Sequence, residues 1–208
     1  MTSVVLAVVM TDSVGQYVLP FHVISAVSSY LCFLVCVIVC IGVSMGKIRR
    51  PAVAVSACSA GIVAACMTLM TGAFWGYHAW GAAWVWEPRL TGMLLTTVFF
   101  VSWRLACAIL GLEVVHQAKM TASLVVLGLP AIAFTHLAVR LFGGVHPASM
   151  QGTGGTPVPW WLFGLAAAVV IVLCGGAAWL DWQHWKKVAR SEPCVACGDT
   201  PDHPMDAQ

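Results

Sequence analysis

The sequence predicts an all-α protein, a polytopic transmembrane helical bundle of about five spans. Two observations lead to this prediction. Of the 208 residues, 60% are hydrophobic and only 9% are charged, whereas soluble domains are about a quarter charged. The chain also contains several apolar runs of about 20 residues, the length that an α-helix needs to cross a bilayer. Only helices satisfy their own backbone hydrogen bonds in lipid, so these runs are predicted to be helices.

Five apolar stretches are long enough to span the membrane. They are Phe21–Met45, Ala52–Phe74, Leu90–Leu110, Met120–Phe142 and Trp160–Leu180. The first ten residues are also apolar, but they are too short to cross a bilayer and lack the basic start of a signal peptide. A truncated or mis-started first helix is the alternative. We therefore expect a transmembrane domain over residues 1–185 and a polar tail without fixed structure over residues 186–208.

The basic residues indicate how the spans are oriented. Seven of the ten Lys and Arg lie in three connections that share one side if the spans alternate: Lys47, Arg49, Arg50, Lys119, Lys186, Lys187 and Arg190. The positive-inside rule assigns that side, and with it the C-terminus, to the cytoplasm. The segment Trp75–Thr91 and the loop Gly143–Pro159 are then expected on the outer face.

The segment Trp75–Thr91 has an unusual composition, with four tryptophans, a tyrosine and a histidine within twelve residues. Aromatic belts place Trp and Tyr at membrane surfaces. A belt alone does not explain why Trp80, Trp84 and Trp86 are interleaved with Gly81 and two alanines. Small residues let a backbone approach a planar ligand while indole rings cover it. The segment is therefore predicted to be an external loop that binds a planar ligand.

Histidines at the same face favour an iron macrocycle as that ligand. His22 lies at the outer end of the first span, and His146 lies in the outer loop after the fourth. A lone histidine at a membrane edge is usually an interfacial polar residue, but two imidazoles from different elements could give six-coordinate haem iron. Arg89, the only Lys or Arg in the tryptophan segment, suits either a haem propionate or a lipid phosphate.

Four other polar residues have a structural role as their first interpretation. His136 is expected to be a buried, hydrogen-bonded residue, with a partner or transient ligand of the site as the alternative. His78 is expected to be a solvated loop residue. Arg140 can extend outward to the membrane surface, and Arg104 should face the bundle or the cytoplasmic interface, beside Glu113.

The cysteines have mainly a packing interpretation. Seven of the nine lie within apolar runs, and Cys32, Cys36 and Cys40 stripe one helix face. Small polarizable packing residues are the first interpretation, and a buried thiol cluster for metal is the second. Cys194 and Cys197 form a single C-x-x-C in the tail, an incidental motif or a weak metal or redox site, since a structural zinc site needs a second pair.

The pattern Trp-Gly-x-x-Trp-x-Trp-acid-x-Arg-Leu-Thr at 80–91 resembles the tryptophan-rich signature of the haem-handling membrane proteins of cytochrome c maturation, most closely the CcmC family. His22 at an outer helix start and His136 followed by His146 agree with that family over about residues 17–185. The family has six spans and an Asp where this chain has Glu87. Pro88 is shared with larger haem lyases, whose additional domains this chain lacks. After His22-Val23, the residues Ile24-Ser25-Ala26 stand where the family has Pro-Ala-Ala.

The resemblance implies a haem site and a set of partners. It places haem b at the outer face, with His22 and His146 as axial ligands. The surrounding positions carried over are Trp80, Gly81, Trp84, Trp86, Glu87 and Arg89. It further implies presentation of haem to the chaperone CcmE, with CcmD and the ABC transporter subunits CcmA and CcmB as neighbours. The location implied is a bacterial or mitochondrial inner membrane.

The alternative function is a b-type cytochrome subunit for electron transfer. That role needs paired histidines on facing helices at membrane depth, whereas the best pair here lies at one edge. A scaffold protein would leave the tryptophans unexplained. No independent catalytic constellation is evident. The absence of a basic face and of phosphate-binding glycine motifs argues against a nucleic-acid partner.

Overall fold

The computed structural model describes residues 2–122 and 158–191, together with Leu137 and Leu141, and the regular structure in this part of the chain is α-helical. The helices are α1 (Thr2–Ser44), α2 (Pro51–Trp80), α3 (Pro88–Ile109), α4, described over 114–122, and α5 (Trp160–Ser191). Four segments are long and apolar enough to cross a membrane: Tyr17–Ser44, Pro51–Trp80, Pro88–Ile109 and Trp160–Lys187. The predicted helical bundle is therefore confirmed, with four of its five spans. The fifth, Met120–Phe142, lies mostly outside the described residues.

α1 and α2 form the main antiparallel pair of the bundle. The face of α2 that meets α1 carries small residues, namely Gly61, Ala65, Thr68 and Gly72. Small residues let two membrane helices approach closely. At Gly61 the approach is so close that a Cβ atom would lie 2.6 Å from the Phe33 ring. The pair is consequently held by close packing along most of its length.

The centre of the bundle joins α1, α2 and α3. The rings of Phe33 and Phe100 stack with their centroids 4.0 Å apart and their planes 5° from parallel. Beside them Cys36, Cys40 and Cys58 are buried in the same core, as the packing interpretation of the cysteines predicts. Within the described ranges no group of three or more His, Cys, Asp or Glu side chains is arranged to hold a metal ion.

α5 packs on α2 through small residues and is tied to α3 by an ion pair. Arg104 and Asp181 approach to 3.3 Å, and the Ser59 hydroxyl also donates to Asp181. Arg104 faces the bundle, as predicted, but its partner is Asp181 and not Glu113, which faces His116 at 3.5 Å. A charge inside an apolar span needs a partner, and tertiary packing brings Asp181 of a distant helix to it.

The helix ends differ from the predicted span ends. α2 is predicted to stop at Phe74, but it continues to Trp80. Gly81 then adopts φ +76°, and its N–H donates to the Tyr77 carbonyl at 3.0 Å, a conformation that favours glycine. Pro88 begins α3, where its missing N–H costs nothing. The connection between α2 and α3 is therefore only residues 81–87, and we call this end of the bundle the tryptophan end.

α1 and α5 also extend beyond their predicted spans. α1 begins at Thr2, so the apolar start of the chain continues into the first spanning helix, with Pro20 inside it. α5 continues past Leu180 as far as Ser191. Since α5 runs from the tryptophan end to the end that holds Asp181, Trp160 lies on the same side of the bundle as the 81–87 connection.

Candidate functional site

His22 lies on α1 at the tryptophan end and is held by α2. Its Nδ1 donates to the backbone carbonyl oxygen of Thr68 at 3.0 Å, because a carbonyl can only accept. In a neutral imidazole this places the proton on Nδ1 and the lone pair on Nε2. That arrangement matches metal-binding histidines, which commonly donate the other ring N–H to a carbonyl or a carboxylate.

Thr68 is itself held in place by hydrogen bonds within the α1–α2 interface. Its hydroxyl lies 3.0 Å from the Ser25 oxygen and 2.8 Å from the Ala64 carbonyl. Ser25 in turn donates to the His22 carbonyl at 3.0 Å. Both side chains are buried. Ser25 thereby connects the His22 backbone to the Thr68 side chain.

The His22 ring also packs against Gly72 and Trp75. Gly72 is not among the predicted site residues, and Trp75 is included only as the first residue of the tryptophan segment. A Cβ at Gly72 would lie 2.7 Å from Cε1 and 2.9 Å from Nδ1 of His22. The imidazole and the Trp75 indole are 12° from parallel, with centroids 6.3 Å apart. Thr68, Gly72 and Trp75 follow a spacing of four and three residues, which puts them on one helix face. That spacing was the only signal in the sequence for this contact.

Trp80 extends the same cluster toward the end of α2. Its ring meets Trp75 edge to face, with centroids 5.0 Å apart and planes at 86°. It lies against Gly76, where a Cβ would approach Cζ2 of Trp80 to 2.8 Å. The predicted platform residue Trp80 and the predicted ligand His22 are therefore connected through Trp75.

Trp84 and Trp86 form a second aromatic pair in the 81–87 connection. Their rings meet at 77° with centroids 5.6 Å apart. Trp86 is 76% exposed, and Trp84 is half-buried. The Trp84 Nε1 atom is buried and has no hydrogen-bond partner among the described residues. An exposed indole ring beside a buried N–H donor is suited to a planar ligand that carries polar groups at its edge.

Glu87 and Arg89 lie where the connection enters α3. Glu87 is buried, at 5% exposure, and its backbone carbonyl accepts from the Thr91 N–H at 3.0 Å at the start of the helix. Arg89 is half-buried, and its Nε has no hydrogen-bond partner in the part of the chain that the structure describes. A buried donor without a partner commonly marks the place of a ligand or water.

His78 is not in a loop as expected. It lies on α2 one turn beyond Trp75, half-buried, with its Cβ 2.9 Å from where a Cβ at Gly15 of α1 would be. Its ring packs on Phe74 at 4.7 Å between centroids. The α1–α2 interface thus holds one histidine from each helix, and each packs against a glycine of the other.

His146 and His136 lie outside the described residues, as do Arg140 and the Cys194–Cys197 motif. The structure thus brings together His22, Trp75 and Trp80 in one set of contacts and Trp84 with Trp86 in another. The second predicted iron ligand remains a prediction.

Comparison with known proteins identifies related sequences. The family model described as "CcmC: Heme exporter protein C" matches residues 8–190. Heme exporter protein C of Rhodobacter capsulatus is 44% identical over 43 residues, which are 21% of this chain and 18% of that protein. Heme exporter protein C of Bradyrhizobium diazoefficiens is 28% identical over 116 residues, 52% of this chain and 42% of that protein.

A relative with a different description also matches. The "Cytochrome c biogenesis protein CcsA" of Cyanophora paradoxa is 34% identical over 79 residues, 38% of this chain and 23% of that protein. The matched stretches thus span less than half the length of each of these relatives. No solved structure matches significantly.

Proposed function

This chain belongs to the heme exporter protein C family, and from that membership we propose that it binds haem at the tryptophan end and presents it to a partner during c-type cytochrome biogenesis. The observation that carries the proposal is the hydrogen bond from His22 Nδ1 to the Thr68 carbonyl. It supports a neutral imidazole whose Nε2 has the lone pair that a haem iron requires.

The residues at the tryptophan end fit haem in two further respects. Haem is a flat apolar macrocycle with two carboxylate side chains, so its site needs aromatic surface and cationic or N–H donors. Trp80, Trp84 and Trp86 supply the aromatic surface. Arg89 Nε and Trp84 Nε1 are buried donors without a described partner, and an arginine suits a carboxylate. These groups support the assignment of Arg89 to a propionate.

The second axial ligand in this proposal is His146. It rests on the sequence pattern, in which His146 follows the fourth predicted span on the same side as His22. Ligation by two imidazoles would hold haem b in a six-coordinate, low-spin form. Gly81 and Glu87 complete the proposed site: Gly81 ends α2, and Glu87 is the buried acid that follows Trp86 in sequence.

The proposed orientation places the tryptophan end outside the cytoplasm. The opposite end carries Lys47, Arg49 and Arg50 between α1 and α2, and Lys186 and Lys187 near the end of α5. Basic residues mark the cytoplasmic side. In a bacterial inner membrane the site would then face the periplasm, and in a mitochondrial inner membrane it would face the intermembrane space, with the C-terminus in the cytoplasm or matrix.

The proposed receiver of haem is the chaperone CcmE, and the proposed neighbours are CcmD and the transporter subunits CcmA and CcmB. The contribution of this chain would be to position haem, since the reactive groups belong to haem and to the receiving protein. Trp86 lies in the 81–87 connection and is 76% exposed, so it is suited to contact both haem and a docking partner.

The test is haem spectroscopy of the full chain in detergent, with His22→Ala and His146→Ala compared with His184→Ala. His184 is an exposed histidine near the opposite end of α5 and serves as the control. We expect a low-spin spectrum that either ligand variant disturbs and the control preserves. In cells that contain CcmE, Trp84→Ala and Trp86→Ala should reduce the haem-loaded chaperone.

Two results would overturn the proposal. A wild-type haem spectrum in both ligand variants, together with its loss in His136→Ala, would favour the b-type cytochrome alternative. Unchanged haem-loaded CcmE in both tryptophan variants would remove presentation from the proposed role.

A further inference from the structure

One face of α2 determines where the His22 ring lies. The Thr68 carbonyl accepts from Nδ1 at 3.0 Å, Gly72 leaves space for the ring edge, and the Trp75 indole stacks on the ring. An imidazole side chain has two rotatable torsions. A directional hydrogen bond together with a nearly parallel stacked ring restricts both torsions. The position of this α1 side chain is therefore set mainly by α2.

From this geometry we infer that Gly72 and Trp75 are positioning residues for the iron ligand His22. The inference rests on the proposed function and adds to it. Gly72 admits the ring, because a Cβ there would lie 2.7 Å from Cε1, closer than side chains pack. Trp75 sets the ring plane through the 12° stack. Neither residue needs to touch haem itself.

The ring planes divide the tryptophans into two roles. An iron bound to an imidazole nitrogen lies in the plane of that ring, so the macrocycle stands roughly perpendicular to it. Trp75 is 12° from the His22 ring and would therefore also stand nearly perpendicular to the macrocycle. Trp80 is 86° from Trp75, so its ring is the one of this pair that can lie parallel to haem. Trp75 thus orients the ligand, and of the two rings only that of Trp80 has an orientation compatible with stacking on the macrocycle.

The burial of Trp75, 7% exposed, would also be expected of a residue that only fills the core. A packing role and a positioning role differ in what a substitution changes. Loss of packing lowers the stability of the whole protein. Loss of positioning changes the spectrum of haem that is still bound, because the angle of the imidazole plane affects the electronic structure of low-spin iron. The electron paramagnetic resonance spectrum of the ferric form therefore distinguishes the two roles.

The experiment compares Gly72→Ala, Trp75→Leu and Trp75→Phe with the control Gly164→Ala. Gly164 is also a helical glycine, but a Cβ there meets nothing within 4 Å. Each full-length variant is purified in detergent and titrated with ferric haem. For Gly72→Ala we expect conversion from a low-spin to a high-spin spectrum, with haem affinity about tenfold to a hundredfold lower, the range found for residues that orient metal ligands.

The two Trp75 variants differ in whether they keep an aromatic ring beside His22. Trp75→Leu removes the flat surface, and we expect bound haem with shifted low-spin g values. Trp75→Phe keeps an aromatic ring, and its g values should be close to those of the wild type. Gly164→Ala should match the wild type in both spectrum and affinity.

Wild-type g values and affinity in both Gly72→Ala and Trp75→Leu would overturn the inference. If Gly72→Ala does not accumulate as folded protein, the comparison of Trp75→Leu with Trp75→Phe decides. A His22→Ala variant tested in parallel separates this failure from failure of the proposed function. If that variant keeps the wild-type spectrum, His22 is not the ligand at all. If it loses the spectrum while the Gly72 and Trp75 variants keep it, only the positioning inference is wrong.

Discussion

The imidazole ring of His22 and the indole ring of Trp75 lie 12° from parallel, with centroids 6.3 Å apart, although they belong to different helices. Thr68, Gly72 and Trp75 of α2 border a slot that the His22 imidazole fills. The slot has an acceptor on one edge and an aromatic surface on one side. Its shape leads to the first prediction.

Free imidazole should occupy this slot when the His22 side chain is removed. In His22→Gly we expect added imidazole to restore the low-spin haem spectrum. 1-Methylimidazole has no N–H to donate to the Thr68 carbonyl, so it should need about a fivefold higher concentration, as expected for a hydrogen bond worth about 1 kcal/mol. Titration of the Soret band with each compound measures the difference. Equal rescue by the two compounds would show that the carbonyl does not orient the ring.

Arg89 should affect haem binding through the propionates alone. Arg89→Gln is expected to lower the affinity for haem about tenfold, because a hydrogen bond to a charged group contributes roughly 1.5–3 kcal/mol. Haem dimethyl ester lacks the carboxylate charges, so its affinity should be the same in the variant and the wild type. Parallel titrations with the two porphyrins provide the measurement. A similar loss for the ester would mean that Arg89 acts by shaping the protein.

Replacing Gly81 by alanine should destabilise the protein because of the backbone conformation at this position. Its φ is +76° and its Cβ position is open, so the cost is conformational and not steric. Gly81→Ala is expected to lower the free energy of unfolding by about 1–2 kcal/mol, whereas Gly81→Asn should cost less because asparagine adopts this conformation more readily. Denaturation in mixed detergent and dodecyl sulfate measures both. Equal costs for alanine and asparagine would contradict this explanation.

The Arg104–Asp181 pair should stabilise the docking of α5. The side chains are 23% and 19% exposed, so Arg104→Ala leaves a partly buried carboxylate without its cation. We expect a loss of about 3 kcal/mol, the lower end for a broken buried pair. The double variant with Asp181→Ala should recover part of that loss. The exposed Arg49→Ala is the control. Equal losses in the single and double variants would show that the Asp181 carboxylate left without its cation costs little.

The membrane class and the tryptophan motif follow from local properties of the amino-acid sequence. A helix that crosses a bilayer must be apolar over about 20 residues, and this constraint is local, so four predicted spans coincide with helices. The motif around Trp80, Trp84 and Trp86 is likewise contiguous in sequence. The motif indicates the family without any tertiary contact, and the family model, which matches residues 8–190, confirms it.

Helix ends and partners across helices depended on the tertiary structure. α2 continues from Phe74 to Trp80 because it packs along α1, where Gly15 lies against His78. Hydropathy measures only transfer into lipid and does not report such contacts. The predicted neighbour of Arg104 was wrong for the same reason, because its actual partner, Asp181, is 77 residues away in sequence.

The contacts that hold the His22 ring depend most clearly on the tertiary structure. The sequence predicted His22 as a ligand, but nothing in its local pattern indicated which residues would hold the ring. Thr68, Gly72 and Trp75 lie about 50 residues further along the chain and reach His22 because α1 and α2 pack antiparallel in one register. That register depends on the close approach of small residues on α2 to large ones on α1. Such complementarity arises between surfaces and cannot be read from either helix alone.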